Sequence, residues 1–214
     1  MSTSTTIVHS EFDDPNKLNL LIGFSGSVAS IKAVELVASL RARYNIRVVC
    51  TEHSKYFIDV DQLNQLLAVP VYTDQHEWNT TQHNTYQRGD AVLHIELRKW
   101  SNLMCISPLS ANTLAKLSSG ICDNLLTCIC RAWDINNNPL IVAPAMNTMM
   151  YTHVITAKQL STLKSYHYIV IDPISKLLAC GDTGTGAMAT VSTIVDTINQ
   201  AAQTHQHSKQ TNGN

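Results

Sequence analysis

The 214-residue chain has few charged side chains and no excess of either sign. Only 14% of its residues are Asp, Glu, Lys or Arg, and the formal net charge is −1, whereas about a quarter of an average protein is charged. A near-neutral chain lacks the basic surface expected of a protein that binds nucleic acid or anionic membranes without sequence preference. Since few charges also suit a surface buried between subunits, we expect an oligomer.

Patterns typical of secretion, membrane insertion and metal binding are also missing. The N-terminus, MSTSTTIVHS, lacks the basic stretch and apolar core of a secretory signal, and no apolar run approaches the ~20 residues of a membrane span. The six cysteines include no C-x-x-C pair, which argues against a zinc ribbon or a thioredoxin-like motif. We therefore expect a reduced, cytoplasmic protein with no metal site, no nucleic-acid partner and no membrane partner.

Apolar runs alternate with segments of helical periodicity through most of the chain. Strands are predicted over residues 18–24, 46–51, 103–107, 140–143 and 168–171. Helices are predicted over residues 28–43, 54–67, 110–119, 124–133, 153–163 and 190–202. Because each strand is a continuous apolar run and is followed by a helix, the pattern predicts an α/β fold, in which helices cover both faces of a parallel sheet.

The two ends and two internal segments lack this periodicity. Residues 1–17 are predicted to form a flexible arm and residues 205–214, which contain no apolar residue, a disordered tail. This leaves residues 18–204 as one folded domain. Residues 72–91 and 173–189 are predicted to be long loops, and such loops in compact domains are often functional.

Two strand-to-helix turns are rich in small polar residues. Residues 23–27, GFSGS, follow the first strand, and residues 107–113, SPLSANT, follow the third. Hydroxyls and backbone amides at a helix start suit a single phosphate group, whereas the G-x-G-x-x-G pattern and the P-loop lysine are absent. Either turn alone could be an ordinary tight turn or helix cap, but two on one sheet edge favour a ligand site.

Three other segments each carry a side chain suited to chemistry. His94 lies between an apolar run and a charged helix, where a histidine is more often structural than a base. Asn147 follows the fourth strand and could hold a carboxylate, although helix capping is its commoner role. Cys180 lies in a glycine-rich loop, while the other five cysteines lie mostly in apolar runs. It is therefore either the accessible, reactive thiol or an incidental one.

Five segments taken together resemble the flavin-dependent cysteine decarboxylases. They are GFSGSVASIK, LHIELRKW, SPLSANTLAKLSSGICDNLLTCICRAWD, PAMNTMM and LACGDTGTGAMA, and the resemblance spans about residues 18–198. It implies a Rossmann-like, flavodoxin-like fold with FMN as cofactor near the subunit interfaces of a homotrimer. Three departures, Tyr151 for the Trp of the PxMNxxMW motif, Thr190 for a common Glu and Ser107 for a common Ala, remove no proposed catalytic group.

The resemblance also implies individual roles for residues of this chain. Implied cofactor-binding residues are Gly26, Ser27, Val28, Ser54, Ser110, Ala111, Asn112 and Thr113. Implied substrate-binding residues are Asn147, Met149, Ala179 and Gly181. His94 is implied to act as a base during substrate oxidation and Cys180 as the final proton donor, while Asn147 would hold the substrate carboxylate.

The implied reaction is the decarboxylation of 4'-phosphopantothenoylcysteine to 4'-phosphopantetheine in coenzyme A biosynthesis. A simple carboxylate cannot lose CO2 because the electrons left behind have no acceptor. Oxidation of the cysteine moiety to a thioaldehyde by FMN would provide that acceptor, and loss of CO2 would then give an enethiol for reduction.

Three other functions are compatible with parts of the pattern. A related enzyme that oxidatively decarboxylates a peptide's C-terminal cysteine stops at the enethiol and does not need Cys180. A non-catalytic phosphatase-inhibiting or halotolerance subunit would carry an acidic tail, which is missing after Ala202. A flavin electron carrier would not explain why His94, Asn147 and Cys180 occur together.

Overall fold

A six-stranded sheet forms the centre of the computed structural model, which describes residues 13–78, 88–177 and 183–211. Its strands are β1 (Leu18–Phe24), β2 (Tyr44–Cys50), β3 (Val71–Thr73), β4 (Leu103–Leu109), β5 (Leu140–Pro144) and β6 (Ile169–Val170). They lie in the order β3-β2-β1-β4-β5-β6, and every neighbouring pair is parallel. The predicted open parallel sheet is confirmed, with β3 added as a strand of three residues that carries too short an apolar pattern to be recognised.

Helices cover both faces of this sheet. They are α1 (Ala33–Leu40), α2 (Val60–Leu67), α3 (Asp74–Trp78), α4 (Leu93–Trp100), α5 (Ala111–Ser119), α6 (Leu125–Arg131), α7 (Thr148–Thr152), α8 (Val154–Ser165) and α9 (Val191–Thr211). Leu20 and Ile22 belong to one buried apolar cluster and Leu21 to a second, because successive strand side chains point to opposite faces. Within the described ranges, no helix combines the length and apolarity that crossing a membrane requires.

The predicted helices and loops differ from the structure in two ways. The helices predicted over residues 28–43 and 54–67 each begin as a short 3-10 helix, at Val28–Lys32 and Glu52–Tyr56, before the α-helix starts. The two long loops also contain regular structure. The first contributes β3 and α3, and the second contributes an antiparallel hairpin of β7 (Ile174–Leu177) and β8 (Thr183–Ala187). The sequence of β8, TGTGA, has no apolar run that would have indicated a strand.

The C-terminal segment is helical where a disordered tail was predicted. Helix α9 continues to Thr211, so the prediction is wrong for residues 205–211. Hydroxyls of Thr204 and Ser208 donate to carbonyls one turn earlier at 3.1 and 2.9 Å, and the side chain of His205 is buried. The buried His205 side chain and these local hydrogen bonds extend a helix whose earlier turns already pack against the core.

A buried arginine attaches the N-terminal segment to the sheet. The Arg47 side chain on β2 is 1% exposed, and its Nη2 donates to Asp13 Oδ2 at 3.0 Å. Its guanidinium lies 4.0 Å from the centre of the Trp100 ring, whose Nε1 donates to the same Asp13 oxygen at 2.9 Å. Burial lowers the pKa of Arg47, and the neighbouring Tyr72 and Asp13 oppose this change. Asp13 is thus part of the fold, so the predicted flexible arm, residues 1–17, does not extend to its last residues.

We expect Asp13→Ala to reduce the free energy of unfolding by about 2–3 kcal/mol, since the buried guanidinium and the indole N–H both lose their shared acceptor. Urea unfolding measures the change as a lower midpoint at an unchanged slope. The control is Asp172→Ala, which removes an exposed carboxylate 3.9 Å from Lys164 and should shift stability by less than ~0.5 kcal/mol. Equal effects of the two substitutions would contradict the role given to Asp13.

Candidate functional site

One buried hydroxyl holds together the carboxyl ends of the two central strands, β1 and β4. The Ser25 side chain is fully buried, and its Oγ donates to the Pro108 carbonyl at 2.8 Å and accepts the Ser110 backbone N–H at 2.8 Å. The chain order of the strands reverses between β1 and β4, and open parallel sheets bind ligands at such a crevice. The Ser25 bonds therefore fix both polar turns relative to each other at the place where a ligand is expected.

A cavity of about 640 Å³, here called the central cavity, opens at this crevice. It brings together predicted residues from three separate turns, namely Gly26, Ser27, Val28, Ser110, Ala111, Asn112 and Asn147. Methionines form part of its apolar wall, with Met146, Met150 and Met188 lining it. Its volume lies within the ~300–1,000 Å³ typical of small-molecule sites.

A second cavity of about 930 Å³, the side cavity, adjoins the first towards β2 and shares Gly26 and Ser110 with it. Polar residues dominate its lining, among them Thr51, Asp74, Lys116 and Asp123. Lys116 already bonds both carboxylate oxygens of Asp123 at 2.8 Å. Thr51 Oγ1 is buried and finds no hydrogen-bond partner within the described ranges.

Thr51 was not among the predicted site residues, although a sequence signal for it exists. It is a hydroxyl residue directly after a buried strand, as Ser25 is after β1. A buried hydroxyl without a partner is costly, so its presence at the wall of a cavity favours a polar ligand there.

Two glycines allow neighbouring loops to approach closely enough to form the cavity walls. A Cβ on Gly26 would lie 2.6 Å from the Cβ of His53, so only glycine lets the turns after β1 and β2 meet. Gly186 has φ +127°, and a Cβ there would lie 2.6 Å from the Met146 carbonyl oxygen. The Met146 N–H donates to the Gly186 carbonyl at 2.9 Å. The β7–β8 hairpin is thereby bound to the turn that carries Asn147.

Four of the described site predictions do not line the central cavity, namely Ser54, Thr113, Met149 and His94, of which His94 is treated below. Ser54 is fully buried, its Oγ donates to the Thr51 carbonyl at 2.7 Å, and it lines neither cavity. Met149 is 75% exposed, and Met150 lines the cavity instead. Thr113 lines the side cavity only. Ser54 and Met149 are therefore not brought to the site within a single chain.

Asn147 combines the two roles considered from the sequence. Its side chain caps α7 by accepting the Met149 N–H at 2.8 Å, and the same residue lines the central cavity. Capping holds the amide at a defined place on the cavity wall. Ala179, Cys180 and Gly181 lie outside the described residues.

The cysteines in the interior are poor nucleophiles. Burial raises the pKa of Cys50 and of Cys105 to about 12, and it also raises the pKa of Cys130. These thiols stay protonated near neutral pH and pack as small apolar groups, as predicted. Cys122 differs, because it is exposed.

His94 is bound by a buried glutamate that the sequence analysis did not identify. The His94 Nδ1 lies 2.5 Å from Oε1 of Glu77, and the His94 backbone N–H donates to Oε2 at 3.0 Å. The Glu77 side chain is only 6% exposed. Glu77 lies in the segment predicted to be a loop, and nothing in its spacing from His94 indicated a contact.

His94 and Asn147 lie near different parts of the sheet edge. The helix that carries Glu77 follows β3, whereas the turn with Asn147 follows β5. Four strand spacings separate β3 from β5, which is roughly 19 Å at the usual interstrand distance. His94 lines neither cavity, although Asp74, one helical turn before Glu77, lines the side cavity.

Comparison with known proteins agrees with this geometry. The family model described as Flavoprotein matches residues 8–203. The chain belongs to the flavoprotein family. This flavoprotein is 46% identical over 206 residues to a phosphopantothenoylcysteine decarboxylase of Oryza sativa subsp. japonica, covering 95% of this chain and 90% of the relative. It is 45% identical over 194 residues to the protein of the same name from Mus musculus, covering 90% and 91%.

Solved structures of similar proteins share the fold. A cysteine-to-serine variant of PPC decarboxylase complexed with pantothenoylaminoethenethiol is 46% identical, with a TM-score of 0.81 over 86% of this chain and 97% of that one. The FMN-binding protein AtHal3 is 47% identical, with a TM-score of 0.78 over 86% and 96%. These matches confirm the resemblance and the predicted flavodoxin-like α/β fold.

We expect Ser25→Ala to lower the free energy of unfolding of this flavoprotein by about 1–3 kcal/mol, because a buried carbonyl and a buried N–H both lose their partner. The amount of bound flavin per chain should fall too, since the two turns are no longer fixed together. Ser39→Ala is the control, since its exposed hydroxyl donates to the Glu35 carbonyl at 2.8 Å. If both variants unfold at the same urea concentration, the bridging role of Ser25 is refuted.

Proposed function

We propose that this flavoprotein is an FMN-dependent carboxy-lyase that converts 4'-phosphopantothenoylcysteine to 4'-phosphopantetheine in coenzyme A biosynthesis. The central cavity carries the proposal, because two small polar turns and the residue Asn147, whose amide could hold a carboxylate, converge on it. The chain that forms it is 46% identical to named phosphopantothenoylcysteine decarboxylases over most of its length.

The residues of both cavities fit FMN. The methionine wall suits a flat aromatic ring system, and the turns Gly26–Val28 and Ser110–Thr113 offer hydroxyls and amides to polar groups at its edges. The buried hydroxyl of Thr51 supplies a bonding group that the protein itself leaves unused within the described ranges. When bound, FMN supplies the two-electron acceptor for substrate oxidation, chemistry that amino-acid side chains do not provide.

Three residues are proposed to act on the substrate. Asn147 holds the carboxylate that leaves as CO2, and its neutral amide does so without stabilising the carboxylate as strongly as a cation would. His94 accepts a proton from the substrate during the oxidation. Cys180 donates the proton that completes the product.

A homotrimer would resolve the separation between His94 and Asn147. The elements that carry the two residues follow strands four spacings apart, and His94 lines neither the central nor the side cavity, so we place the two side chains of a single chain at different sites. In a ring of subunits, His94 of one subunit can face Asn147 of the next. The proposed active site therefore lies between subunits.

Exposed apolar side chains support such a ring. In one group, Val28, Ile31 and Met150 line the central cavity, and Met149, Val154 and Ile155 lie near Met150 in the sequence. A second group, Tyr56, Trp78 and Ile121, lies on elements towards β3 and the side cavity. Cyclic assemblies pair two different patches head to tail, whereas a two-fold dimer pairs a patch with itself. Two separate apolar patches are thus what a ring requires.

The activity test uses the purified native protein. We expect a yellow protein that releases CO2 from 4'-phosphopantothenoylcysteine and leaves a peptide with a C-terminal cysteine unchanged. A colourless protein, or one that releases no CO2, would refute the proposal. Decarboxylation of the peptide alone would favour the peptidyl-cysteine enzyme.

The two proposed acid–base residues give different expected defects. Cys180→Ser should accumulate the enethiol, seen by mass spectrometry, and a relative with a cysteine-to-serine change is described as complexed with pantothenoylaminoethenethiol.

His94→Asn should keep its FMN and lose turnover, whereas loss of the flavin would make His94 a binding residue. Cys122→Ser and His207→Asn change exposed residues and serve as matched controls. A normal product yield from Cys180→Ser would refute the role of Cys180.

Subunit mixing tests the shared site. Sedimentation of the native protein should give three times the 23.6 kDa chain mass. His94→Asn and Asn147→Ala are each expected to be inactive, but co-expressed they should regain activity, because some interfaces then combine an intact His94 with an intact Asn147. If the co-expressed pair stays inactive while both variants bind FMN and form trimers, the site lies within one chain.

A further inference from the structure

The Glu77–His94 contact carries an inference about the proposed reaction and therefore rests on the proposed function. We propose that Glu77 is the positioning residue for His94. It holds the imidazole with the Nδ1 proton directed at its carboxylate and leaves Nε2 as the nitrogen that takes a proton from the substrate thiol. In that step the S–H bond breaks and an Nε2–H bond forms, which produces an imidazolium next to the carboxylate.

The hydrogen-bonding capacity of a carboxylate determines the tautomer. An ionised carboxylate only accepts hydrogen bonds, so the His94 nitrogen 2.5 Å from Glu77 Oε1 carries a proton. In neutral imidazole the other nitrogen, Nε2, then has the free lone pair. Free histidine side chains favour the opposite tautomer, so this arrangement depends on Glu77.

The same carboxylate also fixes the position of the residue. One oxygen binds the ring and the other accepts the backbone N–H of His94 at 3.0 Å, so side chain and main chain are held together. The Glu77 side chain is 6% exposed and that of His94 is 24% exposed. Since the carboxylate is shielded from water, its attraction for a developing imidazolium is stronger than at an open surface.

The short helix that carries Glu77 is anchored at its first turn. At its start, the Thr73 N–H donates to His76 Nδ1 at 3.0 Å, and Asp74 Oδ1 accepts the Leu125 N–H at 2.9 Å. A helix of five residues has little stability of its own. These bonds connect it to β3 and to the first turn of α6, which gives Glu77 a defined position relative to His94.

A purely structural role for Glu77 makes a different prediction. Val92, the N-cap residue of α4, offers no side-chain acceptor. In a purely structural role, Glu77 would do no more than accept the backbone N–H of His94 at the start of this helix. In that case replacing Glu77 would reduce stability without changing the ring of His94. The tautomer of His94 therefore separates the two roles.

The first measurement is nitrogen NMR of the FMN-bound protein labelled with ¹⁵N in histidine, with His94 assigned by its loss in His94→Asn. At alkaline pH, we expect the wild-type His94 signals of an Nδ1–H tautomer. Glu77→Ala should shift them towards the Nε2–H form, and Glu77→Gln, which keeps one acceptor oxygen, should lie between. A wild-type ring protonated on Nε2, or one unchanged in Glu77→Ala, overturns the proposal.

The second measurement is steady-state kinetics on the same variants. For Glu77→Ala we expect kcat to fall roughly 10- to 100-fold, with KM and bound FMN changed by less than about twofold. For Glu77→Gln, which keeps one acceptor oxygen, kcat should fall less than for Glu77→Ala. Glu96→Gln, on the helix that carries His94, removes a carboxylate paired with Lys99 at 3.1 Å; it is the control and should keep its kcat. A raised KM at constant kcat would contradict a positioning role.

The two measurements distinguish a failure of the proposed function from a failure of the positioning role of Glu77. If wild-type protein shows the Nδ1–H tautomer but no decarboxylation, the proposed function is wrong and the Glu77–His94 geometry stands. If decarboxylation occurs and Glu77→Ala keeps full kcat, the function stands and the positioning role is wrong.

Discussion

The hydroxyl of Ser25 is the constraint on which the ligand-binding edge of the sheet depends. Parallel strands pair along their length, but the turns that leave their carboxyl ends have no such pairing to fix them. Ser25 supplies this connection, because its hydroxyl donates to the Pro108 carbonyl near the end of β4 and accepts the Ser110 N–H just after β4. Since the strand order reverses between β1 and β4, these two bonds connect the chain segments that flank the crevice in which the central cavity forms. The glycines at 26 and 186 then let the loops on either side close the walls.

The low charge of the chain agrees with the mostly uncharged lining of its cavities. The central cavity is lined mainly by hydroxyl, amide and apolar side chains, and its Lys32 and Glu35 pair with each other at 2.7 Å. In the adjoining side cavity, Lys116 is already neutralised by Asp123. A site of this kind holds anionic groups through directed hydrogen bonds, which act at short range and are weakly affected by salt, whereas a basic field acts at long range. The near-zero net charge noted in the sequence thus agrees with how the cavity is built.

The sequence predicted the elements whose pattern is local. Each long strand is a continuous apolar run, and the polar turns at residues 25 and 110 follow such runs, so both the sheet and the crevice were foreseeable. Strand β3 and the β7–β8 hairpin were missed because three residues, or alternating Thr and Gly, carry no periodicity. Residues 205–211 were assigned to a disordered tail because composition does not show that His205 packs against the body.

The contact between Glu77 and His94 shows where local pattern ceases to be informative. The two residues are 17 positions apart, and the intervening sequence is polar, so neither spacing nor composition connects them. Their meeting depends on β3, which places α3, and on α6, which anchors it through Asp74. The helix that carries Glu77 follows β3, and the turn with Asn147 follows β5, which lies four strand spacings from β3. Long-range contacts through rigid elements, and not local spacing, therefore determine which side chains meet at this part of the sheet edge.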